Sequence, residues 1–201
     1  MKSGYLLFLF VLLINSLFAQ ENKEFTNTLS IQSYIDFTKS AAQPAFWTTY
    51  DYKKISVEAR YGYDWEKGVS LYAGPFFKCR NWDFRLLGGV LFGNTTGFSF
   101  SPTIMLETKK VYFFNQPQYV IGLSNMPSNF SHWGEFYYKF SNAIWAGVTE
   151  RYYIDKTSYD FAFGPQISIT YKNLYIAFYW WIPSRQTESK AFLAVGYEHE
   201  F

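Results

Sequence analysis

The sequence predicts an all-β fold, a transmembrane antiparallel up-and-down β-barrel of about 12 strands, with about ten as the alternative count. Three observations predict it. Apolar and polar residues alternate through most of the chain after Phe25, aromatic residues make up 23% of it, and only 17% is charged. A soluble domain carries about 25% charged residues. Mean hydropathy is nevertheless slightly polar, −0.14, as expected for strands with one apolar and one polar face.

The alternation has a period of two, and it is clearest at residues 29–38, 55–64 and 160–171. Successive side chains of a strand point to opposite faces, so each of these segments has one apolar and one polar surface. Helical spacing fits none of them. Strands of about ten residues match a tilted crossing of a bilayer. A soluble β-sandwich or lipocalin-like barrel would also alternate, and it is the alternative fold.

Short polar segments separate the alternating runs and predict tight turns near residues 53, 81, 109, 142 and 172. Longer loops are predicted near 39–45 and 122–132. Short turns at one end with longer loops at the other are typical of membrane barrels. Phe46–Tyr52 is assigned to a separate short strand, because Tyr52-Lys53-Lys54 repeats the pattern of the other turns. The strand count then closes at an even number.

Prolines interrupt several of the predicted strands. A proline lacks the N–H that would bond to the neighbouring strand, so we expect bulges or strand ends at these positions. The positions are Pro75, Pro102, Pro117, Pro165 and Pro183.

Residues 1–19 have the composition of a secretory signal peptide. Lys2 is followed by the apolar run Tyr5–Ile14, and Ala19 is a small residue suited to the position before cleavage. The run is shorter than the roughly 20 residues of a spanning helix, which argues against an uncleaved anchor. The barrel would then occupy residues 20–201. Cys79 is the single cysteine, so no internal disulfide is expected.

The last alternating run gives the barrel a direction. Tyr197, His199 and Phe201 lie in phase on its apolar face. A strand that ends on an aromatic carboxy-terminus resembles the terminal signal of outer-membrane barrel proteins. Through that resemblance, Tyr197 and Phe201 would be recognised by the barrel-assembly machinery, and the end of the chain would lie in the periplasm.

If the apolar faces point to lipid, the charged side chains of the strands point into the barrel. Opposite charges would pair across a small interior, and their mixed signs argue against strong anion or cation selectivity. The predicted inward charges are Asp36, Glu58, Arg60, Asp64, Lys78, Arg85, Glu107, Asp160 and Glu198, joined by Glu200, Glu135, Lys139 and Arg151. Four tyrosines would narrow the interior further: Tyr112, Tyr137, Tyr175 and Tyr179.

No catalytic, metal or cofactor site is predicted. Two histidines and one cysteine offer no metal cluster, and no Lys/Arg cluster indicates nucleic acid. A hydrolase needs a base that hydrogen-bonds its nucleophile. The candidates are Ser131 and His132, with Ser124, Ser128 and Glu135 nearby. Residues 122–132 lack the Asn-to-His-x-Ser pattern of outer-membrane phospholipases, so an enzyme is not expected.

From the Phe-Ala-Gln ending of the signal segment to the terminal Phe, the chain resembles the small outer-membrane β-barrel proteins of Gram-negative bacteria. Val57–Tyr63 and Leu91–Gly97 resemble an uncharacterised group of these barrels. The resemblance implies contact with outer-membrane lipid and brings no site residues or cofactor. The expected function is a narrow porin-like channel for small solutes, the solute being unknown. A closed structural or surface-interaction barrel and a lipid-modifying enzyme are the alternatives.

Overall fold

A computed structural model describes residues 25–37, 41–62, 68–93, 96–123, 126–183 and 190–200. The predicted signal peptide, Asp64, Ser124 and Phe201 lie outside these residues. Within them, no helix is long and apolar enough to cross a membrane.

Twelve antiparallel strands close into one barrel, each paired with its neighbours in sequence and the first paired with the last. The predicted up-and-down barrel of about 12 strands is therefore confirmed. The strands are β1 (Phe25–Asp36), β2 (Ala41–Tyr52), β3 (Ile55–Tyr61), β4 (Val69–Cys79), β5 (Trp82–Phe92), β6 (Gly97–Glu107), β7 (Val111–Gly122), β8 (Asn129–Lys139), β9 (Ile144–Ile154), β10 (Tyr159–Tyr171), β11 (Leu174–Pro183) and β12 (Lys190–Glu200).

The strand register divides the side chains into an inward and an outward set, because directly paired residues share a face. Ser30 pairs with both Trp47 and Glu198, and all three point inward. Outward positions carry half-exposed apolar side chains such as Phe98 and Ile176, which are 54% and 49% exposed. The apolar surface of this barrel is therefore its outside, the reverse of a lipocalin-like barrel.

The tight turns all lie at the end of the barrel that holds the first residue of β1 and the last of β12. Three of them have two residues and begin with a basic residue at positive φ: 52° at Lys53, 54° at Arg80 and 53° at Lys172. A positive φ at the first turn position matches the twist of a two-residue hairpin. The longer connections lie at the opposite end, hereafter the loop end.

The two longest predicted loops are shorter than expected. Strand β2 begins at Ala41, and residues 41–45 pair with Gln32–Asp36 of β1. This stretch, Ala-Ala-Gln-Pro-Ala, shows no alternation in size, so backbone pairing rather than side-chain pattern makes it a strand. Strand β8 likewise begins at Asn129, which reduces the second loop to residues 123–128. Phe46–Tyr52 is thus part of a full-length strand.

The expectation of a bulge at the inner prolines is wrong. The register is unchanged on either side of Pro75, Pro102, Pro117 and Pro165, and only Pro183 ends a strand. Each of these four prolines is paired with a residue of one neighbouring strand, and the hydrogen-bonded ladder to the other neighbouring strand is interrupted at the proline. Strands β6 and β7 keep the same register from the pair Phe100–Tyr119 to the pair Ile104–Asn115. This register sets Pro102 of β6 opposite Pro117 of β7. One shared gap in the ladder therefore accommodates two prolines.

Candidate functional site in the barrel interior

A buried ion pair on β3 is the centre of the charged part of the interior. The Arg60 guanidinium donates to Glu58 Oε2 from Nη2 at 2.7 Å and from Nε at 3.0 Å. Glu58 is 4% exposed and Arg60 2% exposed. The guanidinium carbon of Arg60 also lies 4.4 Å from the centre of the Tyr72 ring on β4. Two-point hydrogen bonding and a ring contact hold both charges in place, as burial of an ion pair requires.

A second ion pair continues this arrangement toward the short-turn end. Arg85 on β5 donates from Nη2 to Asp51 Oδ2 on β2 at 2.8 Å, and its Nε lies 4.0 Å from Glu58 Oε1. The Phe76 ring lies 5.0 Å from the guanidinium. Because β2 and β5 are not neighbours in the sheet, Arg85 reaches across the interior. The charges of three strands are thereby linked in one chain.

Neutral hydrogen bonds extend the same side of the interior onto β6 and β7. Gln118 Nε2 donates to the Tyr72 hydroxyl at 2.6 Å and to Ser99 Oγ at 3.1 Å, and Gln116 Nε2 donates to Thr103 Oγ1 at 3.1 Å. These side-chain bonds join β6 and β7 beside the proline gap in their ladder. We call the inward side chains of β2 to β7 the charged wall.

The inward side chains of β8 to β12 and β1 form an aromatic wall. Trp181 packs against Trp133 and Phe192 with ring centres 5.3 and 4.9 Å apart, and Tyr179 lies 6.2 Å from Trp181. Trp181 and Tyr179 are each 7% exposed. Trp133 Nε1 also donates to Glu135 Oε1 at 2.9 Å. Packed rings fill the centre of this half of the interior, which also carries inward charges such as Glu135 and Arg151.

Two further ion pairs occur on or beside the aromatic wall. Lys139 Nζ lies 2.6 Å from Glu107 Oε1 and 4.3 Å from the centre of the Trp145 ring. Arg151 Nη2 lies 3.3 Å from Asp160 Oδ2. Both pairs are more exposed than Glu58–Arg60, so their contribution to stability is smaller.

The remaining predicted inward charges of the described strands also lie on the inner face by register. Lys78 is 67% exposed and lies 3.8 Å from Asp83 Oδ1. Asp36 pairs in register with Phe192, and Glu198 with Ser30. The four tyrosines predicted to narrow the interior all point inward by register: Tyr112, Tyr137, Tyr175 and Tyr179.

The structure separates the candidate hydrolase residues. Ser131 points inward and donates to Gln118 Oε1 at 3.2 Å. His132 points outward, where its Nε2 lies 2.6 Å from Asn115 Nδ2 and its Nδ1 lies 3.3 Å from Glu150 Oε1. The serine and the histidine therefore lie on opposite sides of the barrel wall. Of the other candidates, Ser128 accepts a bond from the Gly122 N–H at 3.3 Å, and Glu135 points inward.

Eight inward residues have a buried polar atom with no hydrogen-bond partner among the described residues. They include charged, amide, hydroxyl and indole groups from both walls: Asp51, Ser56, Arg85, Ser101, Asn129, Trp145, Gln166 and Trp181. Buried polar atoms are nearly always hydrogen-bonded to protein or water. Unpaired buried polar atoms are therefore distributed over both walls of the interior.

A carboxylate at the loop end is held ionised by its own turn. Asp155, between β9 and β10, accepts bonds from the Thr157 N–H at 2.6 Å, the Thr157 hydroxyl at 2.9 Å and the Ser158 N–H at 2.7 Å. The Tyr153 hydroxyl donates to its other oxygen at 3.0 Å. These bonds, above all that from the Thr157 N–H, lower the pKa of Asp155 well below its ordinary value.

Sequence reasoning did not identify several inward residues that organise the interior. Asp51 and Asp83 are the partners of Arg85 and Lys78, and Trp133 and Trp181 are, with Trp145, the largest described side chains of the aromatic wall. Asp83 lies two residues before Arg85 on the same strand, so the alternation of β5 predicts that Asp83 also points inward. The pairing of Asp51 with Arg85 joins strands that are not neighbours, and no local pattern predicts it.

The fold is similar to those of solved porin structures. The KdgM porin, in a complex described with disordered oligogalacturonate, matches with a TM-score of 0.61 at 13% identity, over 87% of this chain and 99% of that one. The NanC porin matches with a TM-score of 0.61 at 11% identity, over 84% and 97% of the two chains. No protein-family model and no curated protein matches the sequence. At these identities the likeness concerns the fold, which is that of a porin-like β-barrel.

Proposed function

We propose that this chain spans the bacterial outer membrane and forms a narrow porin-like channel for small solutes. The observation that carries the proposal is the closed barrel of twelve strands, whose inner face carries charged and amide side chains, as the polar interior of a porin-like barrel does. The outward surface supports the location. Its half-exposed side chains are aliphatic and aromatic on every strand from β3 to β12, as contact with lipid requires.

The charges of the interior favour neutral or cationic solutes over anionic ones. The described inward side chains include nine acids and five bases, a difference of four that falls to three when the position of Lys190, which pairs in register with Trp181, is counted, although the whole chain has a net charge of +2. The acids are Asp36, Asp51, Glu58, Asp83, Glu107, Glu135, Asp160, Glu198 and Glu200, and the bases are Arg60, Lys78, Arg85, Lys139 and Arg151. Oligogalacturonate, described with the KdgM porin, is a polyanion, and we do not expect this interior to favour one.

A planar-bilayer recording on the refolded chain tests the channel. We expect discrete conductance steps, and a reversal potential of the sign that indicates cation preference when the two sides hold different KCl concentrations. The change in gel mobility between heated and unheated samples confirms that the protein used is a folded barrel. Folded protein that inserts and never gives a conductance step would contradict the proposal, and an anion-selective current would contradict the proposed solute class.

A barrel closed to solutes is the second candidate, and the packing of the interior favours it. Leu87 and Val120 are 0% exposed, and Tyr72 and Leu91 are 2% exposed. Side chains therefore occupy part of the lumen, and a channel would have to pass beside them. The bilayer recording separates the two candidates directly.

A lipid-modifying enzyme is the least supported candidate. His132 faces outward, but no serine among the described residues shares its hydrogen bonds. The structural neighbours named above are porins. We expect no lipid hydrolysis by the purified protein, and activity that is lost in His132→Ala would show this expectation to be wrong.

We further propose that residues 1–19 are a signal peptide cleaved near Ala19 and that the end of β12 is recognised by the barrel-assembly machinery. Tyr197 supports the second point, because it faces outward on the terminal strand and is 39% exposed. Deleting Phe201 is expected to lower the amount of barrel in the outer-membrane fraction. An unchanged amount would argue against an assembly signal.

A further inference from the structure

The outward surface carries a polar cluster on three neighbouring strands, formed by Asn115 on β7, His132 on β8 and Glu150 on β9. Asn115 Nδ2 donates to His132 Nε2 at 2.6 Å, and His132 Nδ1 lies 3.3 Å from Glu150 Oε1. In the described strands, Glu150 is the single Asp, Glu, Lys or Arg that the register places on the outward face. A carboxylate exposed to hydrocarbon is unfavourable, and charged residues at this position in barrels lower stability.

A glycine gives the cluster its shape. Gly134 pairs in register with both Asn115 and Glu150, so the three residues form one row across the strands. A Cβ at position 134 would lie 2.9 Å from Glu150 Cγ and 3.2 Å from His132 Cε1. The missing side chain allows Glu150 to cross β8 toward His132. It also leaves the backbone of β8 open to close approach from outside.

The cluster lies at the middle of the barrel wall. Gly134 is the central residue of β8, which runs from Asn129 to Lys139 over 11 residues. The hydrocarbon core of a bilayer is about 30 Å thick, so lipid headgroups would lie about 15 Å from the row. A headgroup cannot satisfy the cluster at that depth. Only another protein surface can bring polar groups to it.

We propose that the outward face of β7 to β9 is the contact surface between two copies of this chain. The inference rests on the proposed location in the outer membrane. Two copies inserted in the same direction are related by an axis along the membrane normal, which sets β7 of one against β9 of the other, with the two Gly134 residues closest to the axis. Barrel strands are tilted by about 35–45°, so the side chains of Asn115 and Glu150 span a height difference of several Å where Asn115 of each copy meets Glu150 of the other.

The hydrogen-bonding groups of the cluster suit such a pairing. Glu150 Oε2 has no hydrogen-bond partner among the described residues, and Asn115 Nδ2 has a second N–H besides the one directed to His132. An amide donor on one copy would meet a carboxylate acceptor on the other, twice in the interface. Small residues at the centre of a contact let two membrane proteins approach closely. Aromatic side chains such as Phe136, 47% exposed, would pack around the polar centre.

Disulfide cross-linking in membranes tests the surface. In a Cys79→Ser background, Phe136→Cys places a thiol beside the axis, and Phe77→Cys is the matched control. Phe77 is also an outward phenylalanine, is 49% exposed, and lies near the short-turn end of β4, four strands away. We expect oxidised Phe136→Cys to give a band of twice the chain mass, and Phe77→Cys to give at least about tenfold less of it.

Glu150→Leu and Glu150→Gln test whether Glu150 stabilises the contact between the two copies. Loss of two charge-assisted hydrogen bonds should reduce cross-linking of Phe136→Cys at least about tenfold in Glu150→Leu, and less in Glu150→Gln, which retains an acceptor. Light scattering of the native sequence in mild detergent should give a dimer. Equal cross-linking at Phe136→Cys and Phe77→Cys, a monomer in detergent, or a cross-link to a different protein would each overturn the proposal. A folded monomer that conducts would overturn this inference alone and leave the channel intact.

Discussion

The charged wall and the aromatic wall use the same backbone and the same strand lengths, but they fill the interior by different means. On the charged wall, Arg60 and Arg85 are each bonded to a carboxylate, and amides such as Gln118 join the neighbouring strands. On the aromatic wall, Trp133 and Trp181 pack ring against ring. The charges of the first wall thus form ion pairs with one another, whereas the centre of the second wall is filled by packed aromatic rings.

This difference predicts how each wall responds to substitution. Removing a charge from the first wall leaves its partner buried without compensation, so the cost falls on folding. Removing a ring from the second wall creates space that water can enter, so the effect would fall on the width of the proposed channel. We therefore expect solutes to pass along the aromatic wall, and the charged wall to act as its rigid support.

The largest effect is expected from breaking the buried pair on the charged wall. Arg60→Met should lower the free energy of unfolding by about 3 kcal/mol, because Glu58, 4% exposed, would lose both hydrogen bonds from Arg60 and keep only Arg85, whose Nε lies 4.0 Å away. Urea unfolding of the refolded protein in detergent measures the loss. The double variant Glu58→Gln with Arg60→Met is the control, and it should be more stable than Arg60→Met alone. A double variant no more stable than the single one would contradict the coupling of the two charges.

A loss of stability no larger than this, together with a gain of conductance, is expected on the aromatic wall. Trp181→Ala removes a ring that is 7% exposed and should cost about 3 kcal/mol, the lower end for such a truncation, because water can enter the space. Single-channel conductance should rise. Trp180→Ala is the matched control, since the neighbouring tryptophan faces outward and is 50% exposed. Equal conductance in the two variants would show that the aromatic wall does not limit the channel.

Much of the architecture could be predicted from the sequence, because strands that separate lipid from an interior must alternate. The tight turns at residues 53, 81 and 172 and the even strand count followed from that pattern and agree with the structure. The exceptions are segments in which apolar and polar residues do not alternate. Ala41–Ala45 consists mainly of small residues, so the segment shows no alternation from which its pairing with β1 could be predicted.

The partners of the interior residues could not be predicted in the same way. Phase counting indicates that Arg85 points inward, but its bond to Asp51 joins strands that are not neighbours and depends on the curvature of the closed barrel. The same holds for Glu150. Its phase with Val148 and Ile154 places it outward, yet its role depends on Asn115 and His132 from two other strands. The prolines show the converse, since a closed ladder tolerates local gaps without a shift in register.

The smallest effect is expected at the loop end, where Asp155 closes the turn between two strands of the aromatic wall. The hydrogen bonds from Thr157 and Ser158 hold the pKa of this carboxyl well below its ordinary value. A lowered pKa in the folded state adds stability that is fully present above the ordinary carboxyl pKa of about 4 and is lost as the pH falls through the folded value. Asp155→Ala should therefore lower the temperature of the gel-mobility transition slightly at pH 7. The difference from the native sequence should shrink as the pH is lowered below about 4. Thr157→Val, which removes the hydroxyl bond but keeps the N–H bond, should give a smaller change. A difference that stays constant down to the most acidic pH at which the barrel remains folded would show that the turn does not depend on the charge of Asp155.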